Sequence, residues 1–182
     1  METYIALLRG INVGGKNMLP MKILLELLSD SSTHISHDSS RLENIKTYLQ
    51  TGNIIYQSLS SPELIKGTLS VLIEDNFGFK PEIIILSVAE FDLAIKNNPY
   101  QNKVGNSCLF FFCKEAPTLD SELLNKLIAT SENYQLKDKV FYLHAPDGVG
   151  KSKLVKKIEV CLGVKATARN LNTVNKIAQL SG

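Results

Sequence analysis

Apolar residues recur along this chain in two rhythms, short strand-length runs and stretches spaced at three and four, and their alternation predicts a mixed α+β protein. Thr3 to Leu8 is a short apolar run ended by Arg9-Gly10, with Gly14-Gly15 just beyond, and reads as a buried first strand leaving into a glycine-rich loop. After Leu19-Pro20, the residues Ile23, Leu24, Leu27 and Leu28 fall at helical spacing, and Pro20 suits a first helical turn. The polar stretch Ser29 to Asn44 reads as an exposed excursion. A strand is predicted from Ile45 to Gln50, and Thr51-Gly52-Asn53 then separates Thr47-Tyr48-Leu49 from Ile54-Ile55-Tyr56, which is the pattern of a hairpin. Ser61-Pro62-Glu63 has helix-start chemistry, Leu64, Ile65, Leu69, Leu72, Ile73 and Phe77 carry the helix to Gly78, and Pro81 introduces a strand at Ile83 to Leu86.

The second half repeats this order with a different entry. A helix is predicted at Ala89 to Asn97, a central strand at Leu109 to Cys113 and a helix at Ser121 to Ala129. Asn133 to Leu136 and Val140 to Leu143 flank the polar turn Lys137-Asp138-Lys139 as two further strands. Lys153 to Leu162 sets Leu154, Val155, Ile158 and Leu162 on one helical face, and a last short helix runs from Asn172 or Thr173, possible caps, to Leu180. The fold class expected is therefore α+β: two tandem ferredoxin-like units (α/β plaits, βαββαβ) with antiparallel sheets, over residues 1–88 and 89–182. The second unit reads as incomplete or augmented by its terminal helix, and a single mixed sheet is the competing topology.

Composition narrows the class without naming a chemistry. A 44% hydrophobic content can cover a core, which excludes disorder. The longest apolar runs, Ile83 to Leu86 and Cys108 to Cys113, are strand-sized, so no membrane partner is expected. Glu2 stands where a signal peptide carries basic residues, and a cytoplasmic location is the expectation. Cys108, Cys113 and Cys161 lack CxxC spacing and read as buried reduced thiols. The net charge of +2 hides an asymmetry: between Gly148 and Gly182 the bases are Lys151, Lys153, Lys156, Lys157, Lys165, Arg169 and Lys176 against Glu159 alone. Such a segment favours anionic partners, although solvated helix faces look similar.

Two glycine-rich segments carry the candidate chemistry. Arg9-Gly10-Ile11-Asn12-Val13-Gly14-Gly15-Lys16-Asn17 has the composition of an anion-binding loop: Gly14 and Gly15 permit close backbone approach, while Arg9, Lys16, Asn12 and Asn17 supply donors. Ala145-Pro146-Asp147-Gly148-Val149-Gly150-Lys151-Ser152 fits a loose P-loop between a strand and a helix, with Ala at the first glycine. A P-loop NTPase also needs an acidic strand to hold magnesium, and the basic helical remainder offers none, so phosphate binding without hydrolysis is the expectation. Gly148, Gly150 and Lys151 would carry it. Arg169 and Asn170 could converge with Gln50 and Asn53 on the same place.

Other residues have plainer readings. His34 and His37 beside Asp38 lack a third partner and read as solvent-exposed, so no metal is expected. His144, ending a strand, is a general-base candidate by position, with no nucleophile beside it in the sequence. Tyr134, Phe141, Tyr142 and Phe110 to Phe112 have the composition of an RNA-stacking sheet but lack the RNP1 pattern, and aromatics in strands usually fill cores.

Four segments carry a resemblance. Ala6 to Asn17 with Pro20-Met21, Thr47 to Ile55, Gly148 to Leu154 and Ala166 to Val174 resemble, in order, the motifs of the bacterial family called domain of unknown function 1697. Leu171 stands where that family is associated with Trp, and the segment from Ser29 to Asn44 is longer than usual. The resemblance implies the tandem ferredoxin-like fold and no established activity. The function expected from the residues is binding of an anionic ligand, a nucleotide or a phosphorylated small molecule, at the glycine-rich loops, with no cofactor. The alternatives are a nucleic-acid-binding module using the basic C-terminal segment and a small enzyme acting on a phosphorylated substrate.

Overall fold

The computed structural model describes residues 1–30 and 41–182. Most of the predicted polar excursion, with His34, His37 and Asp38, lies outside the described residues. The first half runs β1 (Glu2–Arg9), α1 (Met21–Ser29), β2 (Glu43–Tyr48), β3 (Asn53–Ser58), α2 (Pro62–Phe77), β4 (Glu82–Ser87) and α3 (Val88–Lys96). The second runs β5 (Cys108–Cys113), α4 (Ser121–Leu127), β6 (Asn133–Lys137), β7 (Val140–His144), α5 (Lys153–Leu162), β8 (Ala166–Asn170) and α6 (Leu171–Ser181). Among the described residues the fold is thus mixed α+β, with six helices and two four-stranded antiparallel sheets, ordered β2-β3-β1-β4 and β6-β7-β5-β8. This ordering replaces the single mixed sheet. The chain divides into two compact units, one of Met1–Asp92 with Ile177–Gly182 and one of Leu93–Lys176, so both divisions fall inside helices, α3 and α6.

Strand alternation explains the first sheet. Tyr4, Ala6 and Leu8 of β1 share a face with Ile54 and Tyr56 of β3, and α1 and α2 cover it with Leu24, Leu28, Ile65, Leu69 and Ile73. Ile5 and Leu7 point to the opposite face and are buried as well, which is why β1 reads as an unbroken apolar run. Each such side chain contributes about 1.5–3 kcal/mol of burial. In the second sheet Leu109, Phe111, Phe141 and Leu143 pack with Leu124 of α4 and with Leu154 and Ile158 of α5. Phe110, Phe112 and Tyr142 are buried too, so these strand aromatics fill cores, whereas Tyr134 is exposed. Tyr134 stacks on Phe141 at 5.4 Å.

Helix ends follow local chemistry. The Ser61 hydroxyl accepts from the Leu64 amide, Pro62 opens α2, and Gly78 closes it in the left-handed region. Several boundaries differ from expectation. The second sheet is complete: β8 (Ala166–Asn170) escapes hydropathy patterning because Thr167, Arg169 and Asn170 are polar. The strand predicted to Gln50 ends at Tyr48, because Leu49 turns to a positive φ of 58°. Helix α4 ends at Leu127 rather than Ala129, where Ile128 is extended. Helix α6 begins at Leu171, with the Asn170 carboxamide oxygen accepting from the Thr173 amide, so Asn170 is the cap in place of Asn172 or Thr173. Ile23, expected on the buried face of α1, is exposed. The three cysteines are buried and free. No helix among the described residues is long and apolar enough to cross a membrane.

Candidate functional site

The loop after β1 is built by positive backbone φ angles and asparagine side chains. Gly10, Asn12, Gly14, Gly15 and Asn17 all have positive φ, and the Lys16 amide donates to the Val13 carbonyl at 3.1 Å to close its tip. Asn12 imitates a strand neighbour: its Oδ1 accepts from the Leu19 amide at 2.7 Å, and its Nδ2 donates to the carbonyls of Leu19 at 2.9 Å and Gln50 at 2.8 Å. Asn17 Nδ2 donates to the Gly10 carbonyl at 2.8 Å. The β2–β3 turn completes the assembly. Gln50 Oε1 accepts from the Met21 amide at 3.3 Å and so caps α1, whose own leading residue Pro20 has no capping side chain. Asn53, fully buried, donates to the Tyr48 carbonyl and the Thr51 hydroxyl.

Gly52 sits at the centre of this assembly with φ 77°. A Cβ there would lie 2.7 Å from both Leu8 Cβ and Ile11 Cδ1. The structure thus brings Arg9, Asn12, Gln50 and Asn53 into one neighbourhood, and it gives Asn12, Asn17, Gln50 and Asn53 the work of holding the chain. The loop tip, Val13 to Lys16, is exposed.

The second glycine segment is a succession of turns. The amides of Gly148, Lys151 and Ser152 donate to the carbonyls of Ala145, Gly148 and Val149, and the Ser152 hydroxyl accepts from the Val155 amide as the cap of α5. In a P-loop those amides and that hydroxyl face phosphate and magnesium. Gly148 has φ 102°, whereas Gly150 has neither a positive φ nor any atom within 4 Å of a Cβ position.

Beside these turns lies a cleft of about 340 Å³, with Lys126, Lys151 and Lys153 as its cations and Glu132 and Asp147 as its carboxylates. Both acids are engaged. Asp147 Oδ2 accepts from the Ser131 hydroxyl at 2.6 Å, and Glu132 Oε2 accepts from the Ala129 amide at 2.9 Å.

Arg169 and Asn170 do not line this cleft. Arg169 lies on β8 opposite Phe110, is 6% exposed, and donates through Nη1 to the Thr167 hydroxyl and the Ala168 carbonyl, each at 2.8 Å. Burial draws its pKa down to about 10, which leaves it charged at neutral pH. Arg9, Gln50 and Asn53 belong to the first unit, and Arg169 and Asn170 to the second.

Sequence reasoning missed the surroundings of His144. The register sets it directly across from Cys108, with the Tyr100 ring 5.6 Å away. Burial, then Lys103, lowers the His144 pKa, and burial raises that of Cys108, so the pair stands as neutral imidazole and neutral thiol near pH 7. Only the strand register, which hydropathy does not encode, could have found it.

The chain is matched over residues 1–142 by a family model described as "Protein of unknown function (DUF1697)". Among solved structures it is similar to conserved bacterial protein SP0830 from Streptococcus pneumoniae, at 24% identity and a TM-score of 0.71, covering 100% of this chain and 99% of that one. That likeness is one of fold. No curated protein matches the chain.

Proposed function

The chain belongs to the DUF1697 family of proteins of unknown function, and from that premise we propose that it binds a small anionic ligand, a nucleotide or phosphorylated metabolite, in the cleft of its second unit. The observation that carries this reading is the set of Lys126, Lys151 and Lys153 around an open cleft beside the start of α5. The N-terminus of a helix favours an anion, and lysines add mobile point charges. Glu132 and Asp147 in the same cleft disfavour a ligand that is anionic throughout, and favour one that presents hydroxyl or amine donors beside its phosphate. Gly148 leaves room for that phosphate.

The first loop is the second candidate, with Arg9 and Lys16 as cations, Gly14 and Gly15 at the tip, and Asn12, Asn17, Gln50 and Asn53 as its framework. Arg169 and Asn170 belong to the second unit, where they bond Thr167, Ala168 and Thr173, and have no part in this second candidate. The ferredoxin-like assignment of residues 1–88 and 89–182 draws support from the repeated βαββαβ order and the repeated strand order. A cytoplasmic location is part of the same proposal.

The test is a thermal-shift and calorimetric screen against nucleotides, phosphorylated metabolites and short DNA and RNA, on the parent and on Lys151→Ala and Arg9→Ala. A nucleotide or sugar phosphate at about 100 times its Kd should add about 2.7 kcal/mol to the folded state. That gain should vanish in Lys151→Ala and persist in Arg9→Ala. A hit whose affinity falls steeply with salt would instead favour nucleic acid. Silence from every anion, or a hit indifferent to Lys151→Ala, overturns the cleft reading.

A further inference from the structure

Each sheet has two edge strands, and three of the four edges are blunted. In β2 the register shifts between Glu43 and Lys46, with Asn44 at φ 51°. In β8 the Ala166 amide is taken by Glu159 Oε1 at 2.8 Å. In β4 the closing Ser87 amide is taken by Glu90 Oε2 at 2.8 Å. Among the described residues, strand β6 has no bulge and no side chain that takes one of its amides, and its one charged residue, Lys137, donates through Nζ to Asn97 Oδ1 at 2.8 Å. Its sequence Asn-Tyr-Gln-Leu-Lys contains neither proline nor glycine, and it pairs with β7 in unbroken register from Asn133 to Lys137. All its residues except Leu136 are exposed, and β7 is its only strand partner among the described residues. The stack of Tyr134 on Phe141, at 11° between ring planes, holds it against the sheet. A regular, uncovered edge is a template for another strand.

We propose that β6 is a self-association edge: the Asn133–Lys137 strands of two copies pair antiparallel about a two-fold axis through Gln135, joining two β6-β7-β5-β8 sheets into one. The strand's own residues select this occupant and this direction. In antiparallel pairing, Gln135 meets its own counterpart, Tyr134 meets Leu136, and Asn133 meets Lys137, the only charged residue of the strand. No like charges stand opposite, and on one face an aromatic–aliphatic pair continues the apolar row begun by Phe141 and Leu143. Parallel in-register pairing would set Lys137 against Lys137. The contact is isologous and closes on itself, so it yields dimers rather than filaments. A five-residue strand buries little area, which makes the dimer weak and reversible.

The test is analytical ultracentrifugation of the full chain from micromolar to near-millimolar concentration, with Gln135→Lys, Gln135→Glu and their equimolar mixture. Gln135 is exposed, so both variants should keep the parent's circular dichroism and melting temperature. The parent should dimerise as concentration rises. Each variant alone should stay monomeric where the parent dimerises, because like charges then meet at the axis, and the mixture should recover dimers. A parent that is monomeric throughout, variants that dimerise as the parent does, or a mixture that fails to recover association would each overturn the proposal.

Discussion

The two glycine-rich segments use the same residue for different ends. Around the first loop, glycine answers geometry: Gly10, Gly14, Gly15 and Gly52 occupy positive φ, and Gly52 also leaves no room for a side chain beside Leu8 and Ile11. In the second, only Gly148 has that backbone, and Gly150 stands in open space. The polar partners diverge likewise, since the first loop's Asn12 and Asn17 are committed to its carbonyls and amides, while the second's Lys151 and Lys153 line a cleft. Glycine alone therefore does not mark a ligand loop. What distinguishes one is polar side chains left over after the backbone has been satisfied.

Paired glycine substitutions should separate the two loops by the widest margin. Gly52→Ala should destabilise the fold by about 3–4 kcal/mol, combining overpacking with the left-handed backbone. In a chain of this size that is a fall in melting temperature on the order of 10 °C. Gly150→Ala should lie within about 0.5 kcal/mol of the parent. Equal costs in denaturant unfolding would erase the distinction between the loops. Next, Asn12→Ala removes three hydrogen bonds and should cost about 2 kcal/mol, whereas Ser152→Ala removes one helix cap and should cost about 1 kcal/mol.

Smaller still is Lys151→Ala, expected to leave stability within about 0.5 kcal/mol while abolishing binding of any phosphorylated ligand found for the parent. A large stability loss would show that Lys151 serves the fold. The smallest effect is the pH response of His144. Its folded pKa lies below the unfolded value of 6.5, so its contribution is fully present above pH 6.5 and is lost as pH falls through the depressed folded value. His144→Gln should therefore flatten the acid side of the stability profile, read from urea midpoints. An unchanged slope would remove His144 from that account.

Much of the fold was legible because apolar runs and caps point the same way. Thr3 to Leu8, Ser61-Pro62 to Gly78, and Lys153 to Leu162 each carry periodicity and boundary residues that agree. Strand β8 was not legible, because a strand whose polar side chains find partners within the fold needs no apolar run: the Arg169 guanidinium is buried against Thr167 and Ala168. The candidate site was legible in composition but not in assignment. Asn12, Gln50 and Asn53 have donors suited either to a ligand or to the loop's own backbone, and only three-dimensional pairing separates the two uses. Cys108 and His144 are distant in sequence and became neighbours through the β5–β7 register alone.

The position of Ile177–Gly182 within the first compact unit, where Lys46 Nζ donates to the Leu180 carbonyl at 2.9 Å, bears on the order in which the chain is made. Synthesis delivers Met1–Asp92 early, yet the final piece of that unit leaves the ribosome only after every residue of Leu93–Lys176 has been added. During translation the N-terminal sheet must wait without its closing segment, and the first half completes itself last.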